Sequence, residues 1–294
     1  MTRISKPYLP IALMACFAAA CSPKTTQEAK TCSPDSESLI ASIEAGGIAT
    51  INGLAISTGY CSIYVTQWRA QDTERKAEII RYVFTGGSWE PAGPIYPDAR
   101  YQDYQPTFSA GEEELLFTST RPIADGQAPS RQNIWISERQ SGDKWGEPYL
   151  VQGLEGQGWD GHARLLDDGS IFFASDRAGG AGMVDLYQAT RENGGWRIEN
   201  MDVLNSGVSE SDFYIPPDGS YIIFTRYDPQ TDDLDLYMSE YAEAQWSPPK
   251  PITVVNTRDW QLSPVVTPDG KYLIYMDGRD GGLRTAAMSE IRAD

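Results

Sequence analysis

One phrase recurs along the chain and constrains its fold more than any other feature. In "SPVVTPDGKYLIYMDGR", at residues 263–279, an apolar run leads into a Pro-Asp-Gly turn and a second apolar run follows and ends at an arginine. The other copies are "DFYIPPDGSYIIFTR" at 212–226, "HARLLDDGSIFFASDR" at 162–177, "QPTFSAGEEELLFTSTR" at 105–121 and a weaker "NGLAISTGYCSIYVTQWR" at 52–69. Repeats at such intervals indicate a propeller or a solenoid.

The turn of each copy carries a glycine, and the glycines are evenly spaced. They are Gly59, Gly111, Gly169, Gly219 and Gly270, at intervals of 52, 58, 50 and 51 residues. A glycine turn between two short β-branched and aromatic runs is typical of a β-hairpin. A third apolar run, a tryptophan and a fourth run follow in most copies. Four short strands per unit predict an all-β chain, a single β-propeller of five four-stranded blades.

The repeats divide the propeller, residues 38–294, at about 50–98, 99–155, 156–207, 208–256 and 257–294. The last copy has no fourth strand before Asp294. An unpaired edge strand invites aggregation. We therefore expect residues 38–51 to supply that strand and close the ring.

The N-terminal segment has the form of a secretory signal. Arg3 and Lys6 precede a short, largely apolar stretch at residues 8–20, too short to span a bilayer. The segment resembles a bacterial lipoprotein signal, which ends at a lipidated cysteine. Two possible cleavage motifs are present, one ending at Cys16 and the other at Cys21, and we favour the one at Cys21. Residues 1–20 are then the signal peptide, and residues 21–37 are a polar tether. A plain signal peptide is the remaining alternative.

Two cysteines remain beyond the signal. Cys32 and Cys61 form an even pair in an oxidising compartment, so we expect a disulfide between them; two free thiols are the alternative. With one histidine and no CxxC motif, we expect neither a metal site nor a cofactor.

The chain carries a net charge of −17. Nucleic acids and anionic lipid surfaces require a basic face, so we expect no nucleic-acid partner and membrane contact only through the lipid anchor. An acidic coat that keeps the protein soluble explains the charge. We expect a monomer.

The repeated phrase resembles the WD40-like propeller repeat of bacterial envelope proteins, the family typified by the propeller of TolB. The resemblance runs through the last four copies and weakly through the first. It implies a propeller in the cell envelope, at the periplasmic face of the outer membrane or at the cell surface. It does not imply one function, because propellers host binders, scaffolds and enzymes.

Most recurring polar residues have a structural explanation. The Asp-Gly pairs at Asp168, Asp218 and Asp269 match turn geometry. The arginines that follow the second strands are expected to bind nearby carbonyl or carboxylate oxygens, and the tryptophans to pack between blades. The arginines are Arg121, Arg177, Arg226 and Arg279, and the tryptophans are Trp89, Trp145, Trp196 and Trp246.

One set of polar residues lacks such an explanation. A polar residue precedes every first strand, at the predicted mouth of the channel: Asn52, Gln105, His162, Asp212 and Ser263. Trp159, Asp160, Glu210 and Trp260 flank these positions. Convergent polar groups with aromatic walls are typical of a small-ligand site, here for a glycan or a peptide. A solvated channel is the alternative, in which case the loops at 121–132 and 226–234 become candidates.

Three functions fit. We favour a lipid-anchored envelope module that binds a protein or glycan partner at the channel mouth, and we lean against catalysis. A propeller-type glycoside hydrolase is the alternative, with Asp160, Glu210 and Asp212 as the only plausible set of catalytic carboxylates. A purely structural component is the third.

Overall fold

The chain folds as a five-bladed β-propeller. The computed structural model describes residues 34–69, 74, 76–97, 100–124, 131–141, 143–278 and 282–293. In these ranges five antiparallel sheets follow one another along the chain, each with its first strand innermost. The prediction of an all-β, five-bladed propeller is confirmed.

The strands keep the order that the repeats predict. Blade 1 contains β1 (Leu54–Ile56), β2 (Ser62–Trp68), β3 (Ala77–Thr85) and β4 (Ser88–Pro94). Blade 2 contains β5 (Asp103–Phe108), β6 (Glu114–Ser119), β7 (Asn133–Glu138) and β8 (Tyr149–Leu150). Blade 3 contains β9 (Asp160–Leu165), β10 (Ile171–Ser175), β11 (Asp185–Glu192) and β12 (Gly195–Asn200).

The last two blades depart slightly from this pattern. Blade 4 contains β13 (Ser209–Tyr214), β14 (Tyr221–Asp228), β15 (Asp233–Ala242), and two short strands that both pair with β15, β16 (Gln245–Trp246) and β17 (Lys250–Pro251). Blade 5 contains β18 (Gln261–Val266), β19 (Tyr272–Asp277) and β20 (Gly282–Ala287), followed by a short helix, α2 (Met288–Ile291).

The Asp-Gly turns have the geometry that the sequence predicts. The backbone N–H of Ser170 donates to Asp168 Oδ1 at 2.9 Å, and that of Ser220 donates to Asp218 Oδ1 at 3.0 Å. Gly169 follows with a φ of 80°, a conformation that glycine adopts without a steric penalty. These aspartates are turn residues.

The hydrophobic core lies between neighbouring blades. Leu116 and Ile136 of blade 2 pack with Phe173 and Tyr187 of blade 3. The tryptophans join these layers as predicted: the indole N–H of Trp145 in blade 2 donates to the hydroxyl of Tyr64 in blade 1. Each blade therefore buries its faces only against its two neighbours, which makes closure of the ring essential.

A helix seals the ring where we expected a strand. Residues 38–51 do not pair with β20; half of them belong to α1 (Ser36–Glu44), and the sheet of blade 5 has three strands. The side chain of Asp35 caps this helix by accepting from the Ser38 N–H at 2.9 Å. Leu39, Ile40 and Ile43 lie on one helical face, which cannot occur in an extended strand.

The helix joins the two ends of the ring. Its apolar face lies in one cluster with Leu54 of blade 1 and Leu273 of blade 5. Ser36 Oγ donates to Asp269 Oδ2 at 2.6 Å. Burial opposes ionisation of Asp269, but the hydrogen bonds from Ser36 and Thr267 outweigh it and lower the pKa of Asp269 to about 2. The expected closure by residues 38–51 thus occurs through side-chain packing instead of strand pairing.

Several predicted features lie outside the described residues. These are the signal segment, Cys16, Cys21, Cys32 and Arg279. Cys61 is disulfide-bonded, and its pairing with Cys32 stays a prediction. Within the part of the chain that the structure describes, no helix has the length and apolarity that crossing a membrane requires.

Candidate functional site

The five polar residues that precede the first strands meet at the channel axis. We call Asn52, Gln105, His162, Asp212 and Ser263 the axial ring. Ser263 Oγ lies 2.9 Å from Asn52 Oδ1 and 3.0 Å from Asp212 Oδ2. His162 Nε2 lies 2.5 Å from Asp212 Oδ1 and 2.7 Å from Gln105 Nε2. The five side chains therefore converge, in a chain of contacts that runs from Asn52 through Ser263, Asp212 and His162 to Gln105.

A repeated backbone irregularity turns these side chains toward the axis. The strand pairing shifts register beside the ring residue in blades 2 to 5, as in a β-bulge. Four non-glycine ring residues have a positive φ: Gln105 at 54°, His162 at 52°, Asp212 at 31° and Ser263 at 53°. Such conformations cost about 1–3 kcal/mol each and cluster at functional sites.

His162 and Asp212 form the charged centre of the ring. Both are largely buried, with exposed fractions of 9% and 6%. Burial by itself raises the pKa of Asp212, but the charge and hydrogen bond of His162, together with the Ser263 hydroxyl, outweigh burial and hold this pKa below its ordinary value. This lowered pKa favours the carboxylate form of Asp212, which lies within hydrogen-bond distance of His162 Nε2.

A cavity of about 280 Å³ opens on one side of this pair. His162 and Gln105 form part of its floor, and Trp159 forms a wall with its ring 5.4 Å from the imidazole, edge to face. The indole N–H of Trp159 donates to Gln132, which fixes the wall. We call this space the mouth cavity. Asp212 and Ser263 instead line the narrow channel behind the ring.

Two of the predicted acids face away from the cavity. Arg177 Nη2 donates to Asp160 Oδ1 at 2.7 Å, and Arg226 Nε donates to Glu210 Oε1 at 2.7 Å. Asp160 and Glu210 are 1% and 0% exposed and also accept from nearby backbone N–H groups. The structural role predicted for these arginines is confirmed, whereas the predicted carboxylate trio with Asp212 is not assembled.

Trp260 also lies apart from the mouth cavity. Its indole N–H donates to the backbone carbonyl of Asp232, in the loop between β14 and β15. Trp260 precedes Gln261 in blade 5 just as Trp159 precedes Asp160 in blade 3, so the two tryptophans are equivalent in the repeat. Their side chains nevertheless have different surroundings. Of the two predicted aromatic walls, the structure places only Trp159 at the mouth.

The structure adds residues that the sequence analysis missed. The mouth cavity is also lined by Tyr104, Gln132, Val184 and Ser211. Tyr104 and Ser211 each directly precede a ring residue, so their place follows from the repeat. Gln132 and Val184 lie just before the third strands of blades 2 and 3, and nothing in the repeated phrase distinguishes them. Among the described residues, no cluster of three His, Cys, Asp or Glu side chains could hold a metal ion.

Comparison with known proteins gives matches of structure only. No protein-family model matches the chain, and no curated protein matches it. The sucrose-6-phosphate hydrolase of Lactobacillus gasseri aligns with a TM-score of 0.56 and 14% identity, over 84% of this chain and 60% of that one. At such identity the match shows a shared fold.

Two further structures align over most of both chains. The endo-arabinase of Bacteroides thetaiotaomicron gives a TM-score of 0.53 with 10% identity, over 82% of this chain and 94% of that one. A thermostable family-43 glycoside hydrolase gives 0.51 with 13% identity, over 81% and 88%. These neighbours are described as enzymes, so the fold gives no support to our inclination against catalysis, and that inclination is withdrawn.

Proposed function

We propose that this protein is a carbohydrate-active enzyme that cleaves a glycosidic bond at the mouth cavity. The observation that carries the proposal is the buried His162–Asp212 pair, which opens through His162 onto a cavity walled by Trp159. An aromatic wall beside fixed polar groups suits a sugar ring. The fold is shared with proteins described as an endo-arabinase and as glycoside hydrolases, which supports the same substrate class.

The geometry assigns different roles to the two residues. His162 lines the cavity, whereas Asp212 lies behind it. In this arrangement Asp212 binds His162 through Nε2, orients the imidazole and stabilises its charged form, as the acid does in a Ser-His-Asp triad. The other ring nitrogen, Nδ1, then transfers its proton to the leaving oxygen of the sugar. Asp212 is thus a positioning residue.

This scheme differs from glycosidases that use two carboxyl groups. Those groups stand roughly 5–9.5 Å apart, one on each side of the scissile bond. Here His162 Nε2 and Asp212 Oδ1 are 2.5 Å apart and act as one unit. A water molecule that enters the mouth cavity supplies the oxygen that bonds to the anomeric carbon as the leaving oxygen departs. The proton that this water loses returns to His162, which is then ready for the next cycle. Asp160 and Glu210 have no part in the reaction, because their carboxylates bind Arg177 and Arg226.

The test is to incubate the full chain with arabinan, xylan, fructan and short oligosaccharides. Hydrolysis is measured as the release of reducing ends. His162→Gln should lose activity by about 10²–10⁴-fold, the usual contribution of a proton-transfer group. Asp218→Asn is the matched control, because an asparagine keeps the turn on the opposite face. Hydrolysis of no glycan by the wild type, or full activity of His162→Gln, contradicts the proposal.

We further propose that the enzyme acts in the bacterial cell envelope as a monomer, anchored by lipid on Cys21. The basic and apolar segment at residues 1–20 and the polar tether support this location. The repeated phrase supports a relationship to the WD40-like envelope propellers. A glycan partner in that compartment agrees with the proposed chemistry.

A further inference from the structure

The other end of the channel contains a second pocket, formed by all five blades. Its volume is about 120 Å³, and we call it the turn-side pocket because the hairpin turns surround it. Its walls are mainly apolar: Ile56, Phe108, Tyr214, Pro217, Val265 and Pro268. The proposed reaction at the mouth cavity uses none of these residues.

One cation lines this apolar pocket. Arg164 lies on β9, two residues after His162, and its guanidinium stacks over the ring of Tyr214 at 4.4 Å. Its Nε is buried and has no hydrogen-bond partner. Among the described residues no carboxylate forms an ion pair with Arg164. Arg121, Arg177 and Arg226, in contrast, each bind an acid.

The acid that lines the same pocket already has other partners. Glu112 is the only acidic residue that lines the turn-side pocket. Its Oε1 accepts from the Thr58 hydroxyl at 2.8 Å, and its Oε2 lies 3.5 Å from Arg139 Nη2. Arg164 is therefore left with an aromatic face as its main contact. An unpaired cation in an apolar pocket is unfavourable unless an anion completes the site.

We propose that the turn-side pocket binds a small apolar carboxylic acid, with Arg164 as the anion-binding group. The planar guanidinium offers a fork of donors that matches a carboxylate. The apolar walls fit a short hydrocarbon body, and the pocket is well below the roughly 300–1,000 Å³ of sites for larger ligands. An inorganic anion would gain the charge contact but would leave the apolar walls without a partner.

The experiment compares an acid with its neutral amide on the full chain. We would titrate 3-methylbutanoate and 3-methylbutanamide by NMR and follow the Arg164 Nε–H signal. The acid should bind at least about tenfold more tightly than the amide, as expected for one charge-assisted contact. Equal binding of the two, or no binding of the acid at millimolar concentration, would overturn the proposal. Inorganic phosphate serves as the anion without a hydrocarbon body, and it should bind more weakly than the acid.

Variants separate the charge from the shape of the pocket. Arg164→Met keeps the length of the side chain, and we expect acid binding to fall at least about tenfold. Arg197→Met, at an exposed arginine of blade 3, is the matched control and should bind like the wild type. Should Arg164→Met fail to fold, Arg164→Lys keeps the charge without the planar fork and should also weaken acid binding. Undiminished binding in the folded Arg164 variant contradicts the assignment.

Discussion

His162 Nε2 lies 2.5 Å from Asp212 Oδ1, across the boundary between two neighbouring blades. The contact links β9 of blade 3 to β13 of blade 4 at the axis, so one ion pair contributes both to the proposed chemistry and to the packing of the ring. Removal of either partner leaves the other buried without its countercharge, which is costly.

Asp212 should make stability depend on pH. Its folded pKa lies below the unfolded value of about 3.9. Its contribution is therefore complete above about pH 4 and is lost as the pH falls through the folded pKa. Urea unfolding of the wild type and Asp212→Asn should give stabilities that differ by about 1–3 kcal/mol at neutral pH and converge as the pH falls below the folded pKa of Asp212. A constant difference at all pH values would show that Asp212 is not ionised.

Asp160 should matter for stability. Asp160→Ala leaves Arg177 buried without an acid and should cost about 3–5 kcal/mol in chemical denaturation. The control is Arg197→Ala, which breaks an exposed ion pair with Glu199 and should cost no more than about 1 kcal/mol. An Asp160→Ala protein that is as stable as the control but inactive would return Asp160 to the functional site.

Helix α1 should hold the two ends of the ring together. Leu39 is fully buried in the cluster shared by blades 1 and 5. Leu39→Ala should cost about 2–5 kcal/mol and increase amide hydrogen exchange in β18–β20. Val254→Ala, at a half-exposed apolar position, is the control and should change stability by about 0.5 kcal/mol or less. Unchanged exchange in blade 5 would mean that α1 does not seal the ring.

The partner of Cys61 should be Cys32. Peptide mapping under non-reducing conditions should recover the two cysteines in one cross-linked fragment. Reduction should lower stability by about 3.6 kcal/mol, the effect expected for a loop of about 30 residues. Cys61→Ser should show the same loss without reductant. A fragment that joins Cys61 to another cysteine would replace the predicted bond.

The anchor can be tested in cells. Cys21→Ser should move the protein from the membrane fraction to the soluble fraction, because the lipidated cysteine carries the acyl chains. Cys16→Ser is the matched variant and should stay in the membrane fraction. Cell fractionation, followed by detection of the acylated N-terminus, shows whether Cys16 or Cys21 carries the lipid. The reverse result would assign the lipid to Cys16.

The fold could be predicted because local sequence determines it. Turn glycines such as Gly169 and alternating apolar runs give each blade its hairpins without information from distant residues. The axial ring could be predicted too, because its five residues occupy the same position in each repeat. The closing helix was missed because we extended the strand pattern, although Asp35, Leu39 and Ile43 carry a cap and a helical spacing.

The site was harder to predict than the fold. We predicted Asp160 and Glu210 as ligand-binding acids because we did not pair them with Arg177 and Arg226. For these arginines we had predicted only unspecified oxygen partners. The signal was present: each acid lies two residues before a ring residue, and an arginine lies at or just beyond the end of the second strand in the same blade. The positive φ of His162 and Asp212 had no signal, because bulges at non-glycine residues leave no mark in composition.

The axial ring also breaks the symmetry of the propeller. If the five equivalent positions of the ring carried identical side chains, a ligand on the axis could bind in five equal orientations. Here the imidazole and the carboxylate occupy adjacent positions, with a hydroxyl and two amides around the rest of the circle. The repeat supplies a nearly fivefold frame, and the variation within it leaves a ligand on the axis one preferred rotation.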